Sequence, residues 1–319
     1  IALAFETRRG VPELTAGTDH VCARLDNGQV KCWGDNSNGQ LGYGDTDSVG
    51  DQANEMGDTL PAVNLGSRRR ALQITAGDAH SCARLDNGQV KCWGANARGQ
   101  LGLGDVYMRG DQPNEMGDKL PAVSLGIGRS ALQIAAGHAH TCARLDNDQT
   151  KCWGDNRHGQ LGLGDSSNRG DEPNEMSDNL PPVNLGSGQS GLGLVAENIQ
   201  VGARHACVRL RSPASSGIKC WGYNNSGQLG LGDIQDRGHT LDQMGDKLPT
   251  LDLGSDANSV FVALEMVAGS FHNCAYLSNG RIKCWGDNAS GELGLGNTHD
   301  RGDQSHEMDN SLPFADIGN

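Results

Sequence analysis

The chain has 319 residues, of which 47 are glycine and only 4% aromatic, and a formal net charge of −13 at pH 7. That charge disfavours the electrostatic grip on phosphate backbones that non-specific nucleic-acid binding requires, so the partner expected is a protein and not a nucleic acid. No apolar run approaches the roughly 18 residues of a membrane-spanning helix, which argues against membrane insertion. The opening IALAFETRRG lacks the basic-then-apolar order of a signal peptide, so the expectation is a mature form if a leader existed.

In chain order, Ala2 to Phe5 sit one period before Ala62 to Leu65, and LPFADIG at the other end is a further copy. Between them one unit recurs five times, marked by GxxH at His20, His80, His140, His205 and His272, with spacings of 60, 60, 65 and 67 residues. Each unit begins with a short apolar run ending in Gly (Leu72 to Gly77), followed by an alternating stretch (His80 to Leu85), a turn and a second alternating stretch (Gln89 to Gly94). A corner GQLGLG, an acidic loop and LPAVSLG complete it. Short runs between turn residues read as strands, and four strands per repeated unit is the pattern of propeller blades. The prediction is a single all-β domain over 1–319, a β-propeller with five four-stranded blades at about 1–60, 61–120, 121–180, 181–248 and 249–319. The ring is either closed at five or part of a larger one, and six outer strands are counted against five inner sets.

The turn Asp86-Asn87-Gly88 suits a three-residue hairpin loop with Gly in the left-handed region. With Leu85 opposite Gln89, Cys82 falls opposite Cys92. A two-residue loop would instead set Cys82 against Trp93 and send the two cysteines to opposite sides. The first register is favoured because the pair recurs in every unit: Cys22 with Cys32, Cys82 with Cys92, Cys142 with Cys152, Cys207 with Cys220 and Cys274 with Cys284. Disulfides are the preferred reading over buried free thiols, and over zinc, for which two cysteines per unit are too few. Such bonds persist in oxidising compartments, so a secreted, periplasmic or cell-surface location is expected. Asp148 stands where the other turns have Gly, which predicts a weaker hairpin and not a functional site.

The five histidines are read as fixing strand-to-strand corners through bonds to backbone, and the five tryptophans as packing between blades. The glycine-rich corners lack the lysine and helix of a phosphate loop. In the acidic loops, Asp105, Asp111, Glu115 and Asp118 recur as Asp165, Asp171, Glu175 and Asp178. They are candidate calcium ligands, and equally turn formers with Arg109 and Arg169 as ion-pair partners. RGD at Arg109, Arg169 and Arg301 invites an adhesion reading, but its recurrence as part of the unit, with VGD at Val49 and RGH at Arg237, points to loop geometry.

Gly77 with His80, Gly88, Trp93 with Gly94, and Gly99 to Gly104 together resemble the regulator-of-chromosome-condensation repeat family, over nearly the whole chain. The resemblance implies a β-propeller, typically of seven blades. It also implies protein recognition: guanine-nucleotide exchange on a small GTPase, or inhibition of other proteins through one face. Only five units are visible here, and the paired cysteines resemble bacterial extracytoplasmic members.

A residue present in every blade is architecture, so function is sought where blades differ. Arg211, Ser212, Pro213, Ser215 and Ser216 lengthen one hairpin, Tyr223 follows WG in place of Asp or Ala, and His239 alters the fourth loop. These form the candidate partner-binding surface. The leading expectation is a monomeric, non-enzymatic, cofactor-free propeller that binds a protein outside the cytoplasm. The alternatives are an intracellular guanine-nucleotide exchange factor and a calcium-binding or adhesion propeller. No convergent nucleophile, acid or base stands apart from the repeat.

Overall fold

The structure is a computed structural model that describes residues 10–187, 193–211, 217–257 and 259–318. Five three-stranded antiparallel sheets follow one another along the chain. They are β1 (Glu13–Ala16), β2 (His20–Arg24) and β3 (Val30–Gly34); β4 (Ala71–Ala76), β5 (His80–Leu85) and β6 (Val90–Gly94); β7 (Ala131–Ala136), β8 (His140–Leu145) and β9 (Thr150–Gly154); β10 (Val195–Val201), β11 (His205–Arg211) and β12 (Ile218–Gly222); β13 (Ala263–Ala268), β14 (His272–Leu277) and β15 (Ile282–Gly286).

The hairpin turn sets the register. Leu85 N–H donates to the Gln89 carbonyl at 2.8 Å and Gly88 N–H to the Leu85 carbonyl at 3.0 Å, with Gly88 at φ 79°. Cys82 therefore faces Cys92, and the same pairing recurs in all five sheets. Each pair is a disulfide and no free cysteine remains, including Cys207–Cys220, whose hairpin is longer. Asp148 takes the left-handed conformation at φ 66° and keeps the turn, with its carboxylate 3.1 Å from Arg211 of the next blade.

The outer segment expected as a fourth strand runs beside the third strand but makes a single backbone bond to it. Val63 N–H reaches the Val30 carbonyl at 2.8 Å, and Val123, Val183, Leu251 and Ala315 repeat the contact. Pro61, Pro121, Pro181, Pro249 and Pro313 stand two residues earlier and offer no N–H, which keeps the pairing short. A buried lysine strengthens the attachment: Lys91 Nζ donates to the Leu65 carbonyl at 3.1 Å and to the Gly117 carbonyl at 2.6 Å. Lys219 and Lys283 make the equivalent pair of bonds.

The core lies between blades, in four layers. Cys22, Val30, Cys32 and Leu41 of the first blade pack on Ile74, Ala83, Leu85 and Trp93 of the second, and the three later junctions repeat this. Each buried indole also donates back: Trp93, Trp153, Trp221 and Trp285 bond the carbonyls of Gln40, Gln100, Gln160 and Gln228 in the preceding blade at 2.9 to 3.1 Å. Trp33, in the first of the described blades, is only half-buried.

The histidines reach forward, to side chains and not to the backbone corner expected from sequence. Nε2 of His20, His80 and His205 lies 2.8, 3.0 and 3.1 Å from Ser81 Oγ, Thr141 Oγ1 and Asn273 Oδ1 in the next blade. Those residues in turn donate to the carbonyls of Gln40, Gln100 and Gln228. Their own protons are thus committed, so each histidine carries its proton on Nε2. Ala206 occupies the equivalent position in the fourth blade, and His140 is left with both ring nitrogens buried and unpartnered. Gly77 is required beneath the ring: a Cβ there would lie 2.2 Å from His80 Cε1 and 2.3 Å from the Gly137 carbonyl oxygen.

Candidate functional site

Register divides the molecule into two faces. His205 pairs with Gly222, whereas Arg211 lies six residues further along β11, about 20 Å away at the rise of a strand. The GxxH turns and the long loops that follow each WG therefore share one face, and the Asp-Asn-Gly hairpins share the other. This separates the residues singled out from sequence: Tyr223 and His239 lie on the long-loop face, Arg211 on the hairpin face, and Ser212, Pro213, Ser215 and Ser216 lie outside the described residues.

The ends of the five innermost strands and the turns that follow them line a pocket of about 460 Å³. Backbone bonds join its rim: Thr18 N–H to Asp78, Asp78 to His138, His138 to Ala203 and Ala203 to Ser270, at 2.9 to 3.3 Å. On this rim the Asp78 carboxylate accepts from the Thr18 hydroxyl and lies 2.9 Å from His138 Nε2. The order runs hydroxyl, carboxylate, imidazole, so the imidazole is not placed to take the hydroxyl proton as acyl transfer requires.

Tyr223 and His239 belong to one cluster between the third, fourth and fifth blades. His158 Nδ1 lies 2.9 Å from Asp236 Oδ2, and its ring meets Tyr223 edge-on at 4.7 Å between centroids. Tyr223 in turn meets Phe271 at 5.9 Å. Asp236 also accepts from the Asn224 N–H at 2.9 Å. The amide of Gln243 bridges the Asp236 carbonyl and the His239 ring, both at 3.4 Å, while His239 Nδ1 is buried without a partner. Burial holds Asp300, on the fifth blade's long loop, above the usual carboxylate range. The arrangement offers aromatic edges beside carboxylates, a surface suited to a basic protein segment.

Three of the four proposed calcium ligands are engaged by protein groups, and the fourth, Asp111, keeps a buried Oδ1 without a hydrogen-bond partner. Asp105 accepts from Asn96, from Tyr107 N–H and from Arg109, the last at 2.6 Å. Glu115 caps Gly110 and Gln112, and burial together with the neighbouring Asp111 carboxylate raises its pKa. Asp118 binds the backbone and hydroxyl of Ser67 in the preceding blade. Among the described residues no group of three or more His, Cys, Asp or Glu is arranged to hold a metal ion. The RGD arginines close their own loops: Arg109 and Arg169 each clamp the Asp four residues earlier at 2.6 Å.

Family models described as the regulator of chromosome condensation (RCC1) repeat match residues 13–40, 72–100, 132–160 and 265–292, and again 27–84 and 87–144. The chain belongs to the RCC1 repeat family. It is 31% identical to the ultraviolet-B receptor UVR8 of Arabidopsis thaliana, over 91% of this chain and 56% of the receptor. It is 29% identical to the probable E3 ubiquitin-protein ligase HERC6 of Homo sapiens, over 96% of this chain and 26% of the ligase. The chain thus spans about half or less of these relatives. Among solved structures, human WBSCR16 superposes with a TM-score of 0.66 at 20% identity, covering 92% of this chain and 65% of that one. Prp20p of Saccharomyces cerevisiae, whose structure is described with its binding to Gsp1p and histones, gives 0.64 at 21% identity over 93% and 62%. The RCC1 propeller fold expected from the repeats is therefore shown.

Sequence reasoning missed Thr18, Asp78, His138, His158 and Phe271. All occupy variable positions beside invariant ones, in GxxH or before the GQLG corner, so aligning the units and reading the columns that differ would have found them.

Proposed function

We propose that the chain is a non-enzymatic protein-binding propeller of an extracytoplasmic compartment, secreted, periplasmic or at the cell surface. Its long-loop face, around His158, Tyr223 and Phe271, receives a basic protein partner. The observation that carries the reading is the disulfide in every blade, four of the five set in the layers between blades. Bonds so regularly built into the core suit a chain that folds where thiols oxidise. The −13 charge and the carboxylates beside the aromatic cluster favour a partner of opposite sign.

The test is intact mass with and without alkylation, followed by peptide mapping of the protein from its native source. Five bridges leave the chain about 10 Da light and closed to alkylation, two hydrogens being lost per bond. Ten alkylatable thiols would overturn the location and return the intracellular guanine-nucleotide exchange reading.

A further inference from the structure

We propose that the tip of the second blade's long loop, Val106-Tyr107-Met108, is a preorganised anchor that enters an apolar pocket, rimmed by lysine or arginine, on a protein partner. The inference rests on the protein-binding reading above and names a part of that face. The three side chains are consecutive and 49%, 71% and 39% exposed. At the same three positions the first blade carries Thr46-Asp47-Ser48, the third Ser166-Ser167-Asn168, the fourth Ile234-Gln235-Asp236 and the fifth Thr298-His299-Asp300. Only the second blade is apolar throughout.

The backbone beneath the tip is held. Tyr107 N–H donates to Asp105 Oδ1 at 3.0 Å, and Arg109 Nη1 donates to the carbonyls of Tyr107 and Met108 at 2.9 and 3.0 Å. Arg109 also pairs with Gly94 through both backbone groups, and Gly110 accepts from Gly44 of the first blade. The clamp occupies the tip's main chain, so what it offers outward is side chains.

The third blade builds the same clamp around polar residues: Ser167 N–H to Asp165 Oδ1 at 2.9 Å, and Arg169 to Asp165, Ser167 and Asn168. The fold does not need an apolar tip. Exposed contiguous apolar side chains mark interaction sites, and tyrosine on a rigid support is a recurrent anchor because little freedom is lost on docking. Beside the tip stand Asp105, Asp111 and Glu115 against Arg109, on a chain of net charge −13. That balance calls for a basic rim and repels an anionic bilayer.

The test exchanges the tip for the third blade's own residues, Val106→Ser, Tyr107→Ser and Met108→Asn, in the otherwise intact chain. Unchanged thermal unfolding shows that the loop is retained. A random 12-residue peptide library displayed on phage is selected on the wild-type protein and counter-selected on the variant. Enriched peptides combining apolar residues with Lys or Arg are expected, binding wild type about 30-fold or more tightly than the variant and more weakly as salt rises. They should bind a Tyr223→Ala protein as well as wild type. No enrichment, or equal binding to wild type and variant, overturns the anchor. So does variant-sensitive binding to phosphatidylcholine vesicles without peptide enrichment, which would assign the tip to a lipid surface. Peptides lost on Tyr223→Ala instead would overturn the anchor but keep the binding face, whereas free thiols would overturn the location and leave this assay untouched.

Discussion

Replacing Ala206 by Ser should stabilise the junction between the third and fourth blades. At three junctions a histidine Nε2–H donates to a Ser, Thr or Asn side chain that itself donates to a Gln carbonyl; at this one His140 has no partner and Gln160 receives only Trp221, at 3.0 Å. A serine hydroxyl supplies both missing bonds. Each is worth a net of about 1 kcal/mol, and the relief of an orphaned buried donor adds to them. Crowding at a fully buried site offsets part of the gain, so the expected increase is about 1–2 kcal/mol. The reverse change, Ser81→Ala, leaves His20 in the state of His140 and should cost about 1–3 kcal/mol. Guanidinium unfolding followed by tryptophan fluorescence reads both, because Trp93 and Trp221 sit in the two junctions concerned. Proton NMR should show a slowly exchanging imidazole N–H that appears at His140 in the Ala206→Ser protein. If Ala206→Ser gains nothing, shows no such proton, and Ser81→Ala costs nothing, the relay has no part in holding blades together.

Acidification should loosen the same junctions. Burial lowers the pKa of His80 and His140 to about 3 and of His20 and His205 to about 4, from 6.5. The unfolded chain therefore takes up these protons first, and stability, complete above pH 6.5, falls as pH drops toward 4, by about 1.4 kcal/mol per pH unit for each histidine. Urea midpoints at pH 7 and pH 5 check this, and equal midpoints would refute it. Gly77→Ala should cost about 3 kcal/mol or more by driving a methyl into His80 and the Gly137 carbonyl, whereas Gly10→Ala, whose nearest neighbour would be 3.8 Å away, should be neutral in the same melts. Lys219→Met should lose about 2 kcal/mol by stranding the carbonyls of Leu185 and Gly245, each now 2.8 Å from Nζ, and no loss in a denaturant titration would show water replacing the ammonium.

Local chemistry made the blade legible. The glycine of Asp86-Asn87-Gly88 and the alternation on either side set a register, and the register alone decides that Cys82 meets Cys92, as observed. The same argument covered Asp148, which pays for its left-handed φ with the turn intact. What the repeat could not reveal was how blades meet. His80 reads as a corner residue because its own turn is all that lies near it in sequence, yet its partner Thr141 is 61 residues away. Lys91 alternates as a solvated strand residue should, yet it is 7% exposed and crosses to two carbonyls. The candidate face was legible only in part for the same reason. Tyr223 stood out as a departure within its own unit, but His158 and Phe271 become its neighbours only once three blades are stacked.

The junctions and the long loops divide the work between positions that must recur and positions that are free. At three junctions the glycine lies under the histidine, the histidine meets a Ser, Thr or Asn side chain of the next blade, and that side chain and the next blade's indole donate to one Gln carbonyl, so a change at one strands or crowds the others. In the long loop the clamp uses Asp105 and Arg109 with main-chain atoms of the residues between them, and the third blade forms it equally well around Ser-Ser-Asn. Side chains at 106, 107 and 108 can therefore change at little cost in stability, and so can those at 203 and 270, where backbone bonds join the rim of the pocket, whereas Thr18, Asp78 and His138 also bond one another through side chains. Both sets lie on the long-loop face. A propeller built this way can acquire a new partner by altering a few loop tips on that face while every blade-to-blade contact stays as it is.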